Sequence, residues 1–208
     1  FDLATALFKD ESARHSSLFA AITAEPILRD RKMIAEPWDV TRYGLGEFSY
    51  PWREWNDFFR DSVRQFWLGD LARGYGEGVS DIASAISGSS GIFYHRGPTA
   101  SINFITAHDG FTLRDLVSYN EKHNELNLED NRDGHSSNKS WNVGTEGETD
   151  DLGIQHIRQS LKKSMAATLL LSAGVPMINM GDEVNRTQNG SNNGYSVSVG
   201  ENPWAQPW

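Results

Sequence analysis

The spacing of apolar positions along the chain predicts an alternation of helices and strands. Apolar residues at three- and four-residue intervals are typical of helices that pack through one face. Short apolar runs between them predict strands buried on both faces, as in a parallel sheet. The predicted helices are Ser12–Glu25, Asp57–Trp67, Val79–Ile86 and Ile154–Ala173, and the predicted strands are Lys32–Ala35, Ala100–His108 and Val175–Met180.

Proline, glycine and polar segments separate these elements. Pro26 follows the first helix, and Gly174 stands where a C′ glycine would close the last one. Thr112–Tyr119 predicts a helical turn. Residues 120–151 form a long polar segment, which is either a linker or a functional loop, because long ordered loops are uncommon in compact domains without a function. Residues 185–208 are polar and lack periodicity.

The alternation of helix and strand indicates an α/β fold with a parallel sheet. Both the second half of a β/α barrel and an open doubly wound sheet produce this order. The glycines at 74–78 do not support the doubly wound sheet, because they neither follow a strand nor have dinucleotide-binding spacing. The 208 residues are fewer than the roughly 250 of a complete barrel, so a partial (β/α)8 barrel is expected.

Charge and composition exclude several classes of partner. The net charge of −9, from 28 acidic and 19 basic residues, argues against a nucleic-acid partner, which needs a concentrated basic patch. The absence of cysteine excludes disulfides and thiolate metal sites. No apolar stretch reaches the 18 or more residues of a membrane span. A cytoplasmic protein without nucleic-acid or membrane partners is therefore expected.

Four tryptophans fall close together in the first third of the chain. They have two interpretations: large rings fill a core, or flat rings stack on the apolar faces of sugars. Their positions alone leave both open. The residues are Trp38, Trp52, Trp55 and Trp67.

Three acidic residues, Asp2, Glu36 and Asp109, each follow an apolar run. Carboxyl groups at the C-terminal ends of parallel strands are how a β/α barrel builds a glycosidase site. Each residue alone also has an ordinary explanation: Asp2 as a solvated charge or helix cap, Glu36 as the end of a strand before Pro37, and Asp109 as part of an Asp-Gly turn. The joint pattern favours a pair of glycosidase carboxylates.

The segments that contain these acids resemble signature regions of the α-amylase family of glycoside hydrolases, and within it the isoamylase-type glycogen debranching enzymes. The resemblance runs from Phe1 to about Tyr195. It is carried by Phe1–Ala4, Ile34–Asp39 and Asn103–Gly110, and further by Asn120–Asn124, Glu129–His135, Ser140–Asn142, Gly181–Glu183 and Arg186–Gln188.

The resemblance implies a role for each position. It implies that Asp2 is the nucleophile, Glu36 the general acid/base, and Asp109 the carboxylate that binds sugar hydroxyls and favours the distorted ring. His108 would contact hydroxyls in the same subsite, and Trp38 would stack on sugar or pack structurally. No cofactor and no metal is implied, and the two histidines of the polar loop, His123 and His135, are expected to face solvent or hydrogen-bond substrate.

The match also has gaps. The resemblance places the chain roughly from the end of strand 4 through strand 8 of the barrel. The first signature region, the arginine two residues before the nucleophile, the N-terminal half of the barrel and the terminal β-sandwich have no counterpart. After Tyr195 the sequence departs from the family pattern. Residues 1–208 are therefore expected to be the C-terminal part of a catalytic barrel, poorly active alone unless its exposed edges self-associate or a partner completes it.

The function implied is retaining hydrolysis of α-1,6 branch linkages in glycogen or limit dextrin. Two alternatives stay open: an α-glucan enzyme that acts on α-1,4 bonds or transfers chains, and a non-catalytic fragment that binds glucan.

Overall fold

The computed structural model of the protein describes residues 1–8, 16–28, 30–70 and 79–194. This part contains four short strands and five α-helices, together with several 3-10 turns. The strands are β1 (Ile34–Ala35), β2 (Arg53–Asn56), β3 (Ser101–Phe104) and β4 (Val175–Met177); the helices are α1 (Ser17–Ala24), α2 (Asp57–Arg64), α3 (Val79–Ile86), α4 (Ser90–Phe93) and α5 (Leu152–Leu171). A π-helical segment, Gln65–Asp70, continues α2.

The four strands form one parallel sheet in the order β1-β2-β3-β4. Helices α2 to α4 connect β2 to β3, and α5 leads into β4. This alternation of strand and helix is the one expected for neighbouring β/α units of a barrel. The main chain of residues 1–4 runs beside the outer edge of β1: the Phe1 nitrogen donates to Ile34 O at 2.9 Å, and Glu36 N donates to Phe1 O at 2.9 Å. The parallel α/β prediction is confirmed.

Strand β2 was absent from the sequence prediction because its buried face is polar. Glu54 and Asn56 point to the interior and are fully buried. Glu54 forms an ion pair with Arg96, and Asn56 Nδ2 donates to Ser101 Oγ at 2.8 Å. Asn56 also caps α2, since its Oδ1 accepts from Phe59 N at 3.0 Å. A strand whose inward residues are paired polar groups has no apolar periodicity to detect.

Two apolar clusters hold the sheet and helices together. The larger one packs helices α2, α3 and α5 against the end of β3 and the turn at Asp115–Val117. The smaller one lies under β1 and α1. Its buried members are Ala4, Phe8, Phe19, Met33, Ala35, Phe48 and Trp52.

Helix α5 differs from its predicted form in two respects. Ile157, which lies three residues after Ile154 and is therefore expected on the buried face, is exposed, while Arg158 beside it is buried. The helix ends at Leu171 with Ser172 as its C-cap, so Gly174 lies one position beyond C′. Gly174 has φ +136, and an added Cβ would lie 2.5 Å from the Asn103 amide nitrogen. A glycine is needed there because the Asn103 side chain approaches the backbone closely.

The polar segment 120–151 is an ordered loop, held by side-chain hydrogen bonds. Glu146 accepts from the backbone N–H groups of Asn120 at 2.9 Å and Glu121 at 3.0 Å. Arg158 of α5 donates to the carbonyls of Gly147 at 2.7 Å and Asn142 at 2.8 Å. These bonds satisfy main-chain groups that have no sheet or helix partner, so the loop needs no apolar core of its own.

The three predicted strands are shorter in the structure: Lys32–Ala35 corresponds to β1 (Ile34–Ala35), Ala100–His108 corresponds to β3 (Ser101–Phe104), and Val175–Met180 corresponds to β4 (Val175–Met177). Residues 12–15 of the first predicted helix, the glycines at 74–78 and the tail after residue 194 lie outside the described residues. None of the helices in the described ranges is long and apolar enough to cross a membrane.

Candidate active site

Asp2 and Glu36 are brought together by main-chain pairing between residues 1–4 and the end of β1. Ala4 N donates to Glu36 O at 3.0 Å, so Asp2 lies beside the residue that follows β1. Leu3 adopts φ +45, a left-handed conformation that bulky residues rarely adopt, and its N–H donates to Glu36 Oε2 at 2.6 Å. The unusual backbone at Leu3 therefore directs a donor at the Glu36 carboxyl group.

His108 and Asp109 reach the same place from the end of β3. His108 Nε2 lies 3.5 Å from Asp2 Oδ1 and 3.5 Å from Asp109 Oδ2. One side-chain ligand atom from each of Asp2, Glu36 and His108 lies within 4.8 Å of the others. Retaining glycosidases hold their two carboxyl groups about 5–5.5 Å apart, and inverting ones about 6.5–9.5 Å. The close approach of Asp2 to Glu36 fits the retaining geometry.

The two paired carboxyl groups differ in environment. Glu36 is 4% exposed, whereas the Asp2 side chain is 69% exposed. Burial raises the pKa of Glu36, and the hydrogen bond and negative charge of Asp2 raise it further, against lowering by the Leu3 N–H and His108. A buried carboxyl group with a raised pKa suits an acid, and an exposed neighbour suits a nucleophile.

The raised pKa makes the stability of the fold depend on pH. A carboxyl group whose pKa is higher in the folded state binds protons more tightly there than in the unfolded chain. Its contribution to folding stability is therefore complete below the ordinary pKa of 4.5 and is lost as the pH rises through the pKa of the folded state. Glu36→Gln is expected to raise the free energy of unfolding at pH 7 to 8. Urea unfolding from pH 4 to 8 measures this, and the difference from the unmodified chain should shrink towards pH 4. A difference that is constant with pH would contradict the assignment.

A cleft of about 350 Å³ opens beside these groups and is walled by aromatic rings. Trp38 and Trp55 line it, with Tyr43, Asp109 and His135. The Trp55 ring lies 5.5 Å from the His108 ring, measured between centroids. Flat rings next to hydroxyl-binding groups form a surface that suits a sugar.

The four tryptophans therefore divide between the two interpretations. Trp38 and Trp55 line the cleft. Trp52 is 2% exposed in the smaller apolar cluster, and Trp67 packs against the larger one with its Nε1 donating to Thr168 Oγ1 at 3.0 Å.

Asp39 fixes the loop that carries Trp38. Its Oδ2 accepts from Thr5 Oγ1 at 2.7 Å, and its Oδ1 accepts from the N–H and the hydroxyl group of Thr41, both at 2.6 Å. These hydrogen bonds, with those from Thr41 the largest cause, lower the pKa of Asp39 to about 2. The loop is thereby tied to the 3-10 turn next to Asp2.

Two groups hold the chain between β3 and His108. Arg64 donates through Nε and Nη2 to Ile105 O, at 2.9 and 2.6 Å, and through Nη1 to Asn138 O at 3.1 Å. Asp182 accepts from the Thr106 hydroxyl group and from Leu113 N, the latter at 3.0 Å. The segment that presents His108 is thus held from α2 on one side and from the region after β4 on the other.

Asn192 connects this segment to the outer wall of the cleft. Its carbonyl accepts from Gly110 N at 2.9 Å, directly after Asp109. Its amide nitrogen donates to His135 O and to Asn138 Oδ1, both at 2.8 Å. The wall formed by residues 135–139 therefore has a fixed position relative to Asp109.

Asp2, Glu36 and His108 could also supply ligands to a metal ion, and within the described ranges they are the one group with suitable spacing. An ion coordinated there would compete for the carboxylate oxygens that nucleophilic and acid catalysis use.

Of the five residues singled out from the sequence, the structure brings Asp2, Glu36 and His108 together, with Asp109 beside His108. Trp38 and Asp109 line the adjoining cleft. Trp55, Arg64 and Asn192 also line or support the cleft. The position of Trp55 in the sequence is compatible with packing or with stacking on sugar, and Asn192 lies in a polar segment without periodicity. Nothing in the sequence marks Arg64 as buried, since a basic residue near the end of a helix is ordinarily solvated.

Curated relatives match the chain over 94% of its length. It is 49% identical to the glycogen operon protein GlgX homolog of Mycobacterium tuberculosis (strain ATCC 25618 / H37Rv), of which it covers 27%. It is 48% identical to the glycogen debranching enzyme of Erwinia tasmaniensis and 46% identical to the GlgX homolog of Haemophilus influenzae, covering 30% and 31% of those proteins. The resemblance to glycogen debranching enzymes is confirmed by these relatives.

Solved pullulanase structures share the fold. The chain matches pullulanase type I from Bacillus subtilis in complex with maltose, with a TM-score of 0.55, 24% identity, and coverage of 97% of this chain and 26% of the other. It matches the maltotriose complex of PulA from Klebsiella pneumoniae with a TM-score of 0.58, 18% identity, and coverage of 94% and 23%. No family model matches the chain. The chain spans about 27–31% of the length of the curated relatives described above.

Proposed function

We propose that the chain is part of the catalytic barrel of an α-amylase-family debranching enzyme that hydrolyses α-1,6 branch linkages in glycogen or related α-glucans. The observation that carries the proposal is the approach of Asp2 to Glu36 within 4.8 Å, where residues 1–4 pair with the end of β1, in a chain 46–49% identical to the curated relatives. Because the chain covers only 27–31% of those relatives, the activity is assigned to a protein of their length.

The proposed reaction is a double displacement. Asp2 attacks the anomeric carbon while Glu36 donates its proton to the leaving glycosidic oxygen, which gives a covalent glycosyl-enzyme and a free 6-hydroxyl group. Glu36, now ionised, takes a proton from water, and that water cleaves the glycosyl ester with net retention. The raised pKa of Glu36 keeps its proton available for the first step.

The remaining residues bind the sugar in this proposal. Asp109 and His108, whose Oδ2 and Nε2 atoms are 3.5 Å apart, accept and donate hydrogen bonds to hydroxyl groups of the reacting ring. Trp38 and Trp55 stack on glucose units in the cleft.

The test is a comparison of glycogen, pullulan and amylose as substrates for the chain extended to the length of its relatives. Release of reducing ends from glycogen and pullulan, with amylose almost unchanged, is expected. Preferential attack on amylose, or chain transfer without hydrolysis, would replace the proposal with an α-1,4-acting or transferring enzyme. Binding of glycogen without any product would indicate a glucan-binding protein. Activity abolished by a chelator would indicate a metal at Asp2, Glu36 and His108.

Trp38→Ala is expected to raise the KM for a branched maltooligosaccharide about 5- to 30-fold, with little change in kcat. A stacked ring contributes about 1–2 kcal/mol of binding, and each 1.4 kcal/mol is a factor of ten. Trp67→Phe is the matched control, since Trp67 packs in the core away from the cleft. An unchanged KM in Trp38→Ala would assign this ring to packing.

We also propose that the β4 edge of the sheet is covered in the working protein. Ile178, Met180 and Leu171 near this edge are 55%, 62% and 86% exposed. The rest of a longer barrel would cover them, and the 208-residue chain alone is expected to self-associate there, because unpaired edges with apolar neighbours promote association. Size-exclusion chromatography of the chain measures this, and a concentration-independent monomer would contradict it.

A further inference from the structure

A second cavity lies at the opposite end of the sheet from the carboxyl groups. Lys32 precedes β1, Arg53 opens β2, and Thr99 and Ala100 precede β3, so the cavity is at the N-terminal ends of the strands. Glu36 and His108 follow the C-terminal ends of β1 and β3. The cavity has a volume of about 250 Å³, and it is separated from the proposed active site by the length of the sheet.

Basic side chains gather around this cavity although the chain as a whole is acidic. Among the described residues, Arg31, Lys32, Arg53 and Arg96 line it together with one acidic residue, Asp30. The net charge of the chain is −9, so a group of four cations is not explained by composition.

Three of these cations have no carboxylate partner in the part of the chain that the structure describes. Arg96 forms an ion pair with Glu54. Among the described residues, no carboxylate lies within ion-pair distance of Arg31, Lys32 or Arg53, whereas Arg42, Arg60, Arg114 and Arg132 each have one. Their charges are therefore available to a ligand.

We propose that this cavity binds a phosphate-sized oxyanion, held by Arg31, Lys32 and Arg53. Guanidinium groups pair with the oxygens of phosphate in two parallel hydrogen bonds, and lysine contributes a point charge. The cavity is below the roughly 300 Å³ at which pockets for drug-sized ligands begin, which suits inorganic phosphate or the phosphate group of an ester. The site is independent of the glycosidase proposal, because it shares no residue with it.

The test is titration of the 208-residue chain with inorganic phosphate at low ionic strength, followed by isothermal calorimetry and tryptophan fluorescence. Saturable binding with one site per chain is expected, weakening as sodium chloride is added. The double variant Lys32→Gln/Arg53→Gln should bind phosphate at least tenfold more weakly. Lys163→Gln, which removes an exposed charge from α5, is the matched control and should bind normally.

Additional variants and ligands identify what the cavity binds and separate a loss of binding from a loss of folding. Arg31→Gln alters only an exposed side chain, and it too should weaken binding if the fold is retained by circular dichroism. Glycerol phosphate distinguishes an ester from the free ion, since an ester site accepts both probes and a closed site accepts only phosphate. Glu36→Gln should leave phosphate binding unchanged, which separates this proposal from the glycosidase. Absence of saturable binding, equal binding by the double variant, or binding of maltose in place of phosphate would overturn the proposal.

Discussion

Glu36→Gln, in the chain extended to the length of its relatives, is expected to lower kcat on glycogen by about 10²- to 10⁴-fold, the usual contribution of a positioned general acid. Glutamine keeps the size of the side chain and can accept the Leu3 N–H, but it cannot protonate the leaving oxygen. The KM should change little, because Glu36 acts on the glycosidic oxygen during bond cleavage. Initial rates of reducing-end release measure both constants.

Two comparisons make this result specific to acid catalysis. Glu47→Gln removes a carboxylate from the same loop region, where Glu47 pairs with Arg42, and should leave kcat unchanged. A maltosyl fluoride substrate has a leaving group that needs little protonation, so its first step should be much less impaired in Glu36→Gln than glycogen hydrolysis. Equal impairment with both substrates would show that the substitution damages the site in another way.

Arg64→Met is expected to lower the free energy of unfolding by about 2–4 kcal/mol. The substitution fills the same space but leaves the carbonyls of Ile105 and Asn138 without their donor, and an unsatisfied buried carbonyl costs about 1–3 kcal/mol. Part of this loss is offset. Burial of the charged guanidinium group, which lowers the pKa of Arg64, itself destabilises the folded protein, and the substitution removes that charge. Urea unfolding at pH 7 measures the change.

The matched control for Arg64 is an exposed arginine in a salt bridge. Arg132 lies 3.6 Å from Asp130, both with largely exposed side chains, so Arg132→Met should change stability by less than about 1 kcal/mol. Arg64→Lys keeps the charge but loses the several N–H donors of the guanidinium group. Its loss of stability should lie between those of Arg64→Met and Arg132→Met. A stability of Arg64→Met within about 1 kcal/mol of the unmodified chain would mean that Ile105 and Asn138 are held by other contacts.

The three acidic residues proposed for catalysis could be selected from the sequence because Glu36 and Asp109 follow the apolar runs that contain β1 and β3, and Asp2 follows Phe1, whose main chain pairs with β1. Apolar runs report strands that are covered on both faces, which is true of β1 and β3. The distance between Asp2 and Glu36 could not be predicted, since it depends on the main-chain pairing of Phe1 with Ile34 and Glu36, 33 and 35 positions further along. Four of the five helices in the described residues were predicted, whereas α4 (Ser90–Phe93) was not, because four residues are too few to show a helical period.

The supporting residues escaped prediction because polar groups stabilise this part of the fold. Glu54 and Asn56 make β2 look like a loop, although their partners Arg96 and Ser101 satisfy them in the interior. Asn192 forms its bonds with residues of the loop 120–151, which are distant in sequence. Hydrogen-bond pairing between remote segments has no periodicity, so only coordinates reveal it.

The register of the sheet also bears on how the protein reaches its folded state. Strands β3 and β4 pair between residues about 70 positions apart, and every strand pair is parallel. Each pairing must close a long loop before any contact forms, and such non-local topologies fold slowly. Until β4 pairs with β3, the edge of β3 is unpaired and its apolar residues are uncovered. Intermediates of this kind tend to aggregate. The topology that assembles the carboxyl groups therefore makes the yield of folded protein sensitive to chaperones and to the rate of synthesis.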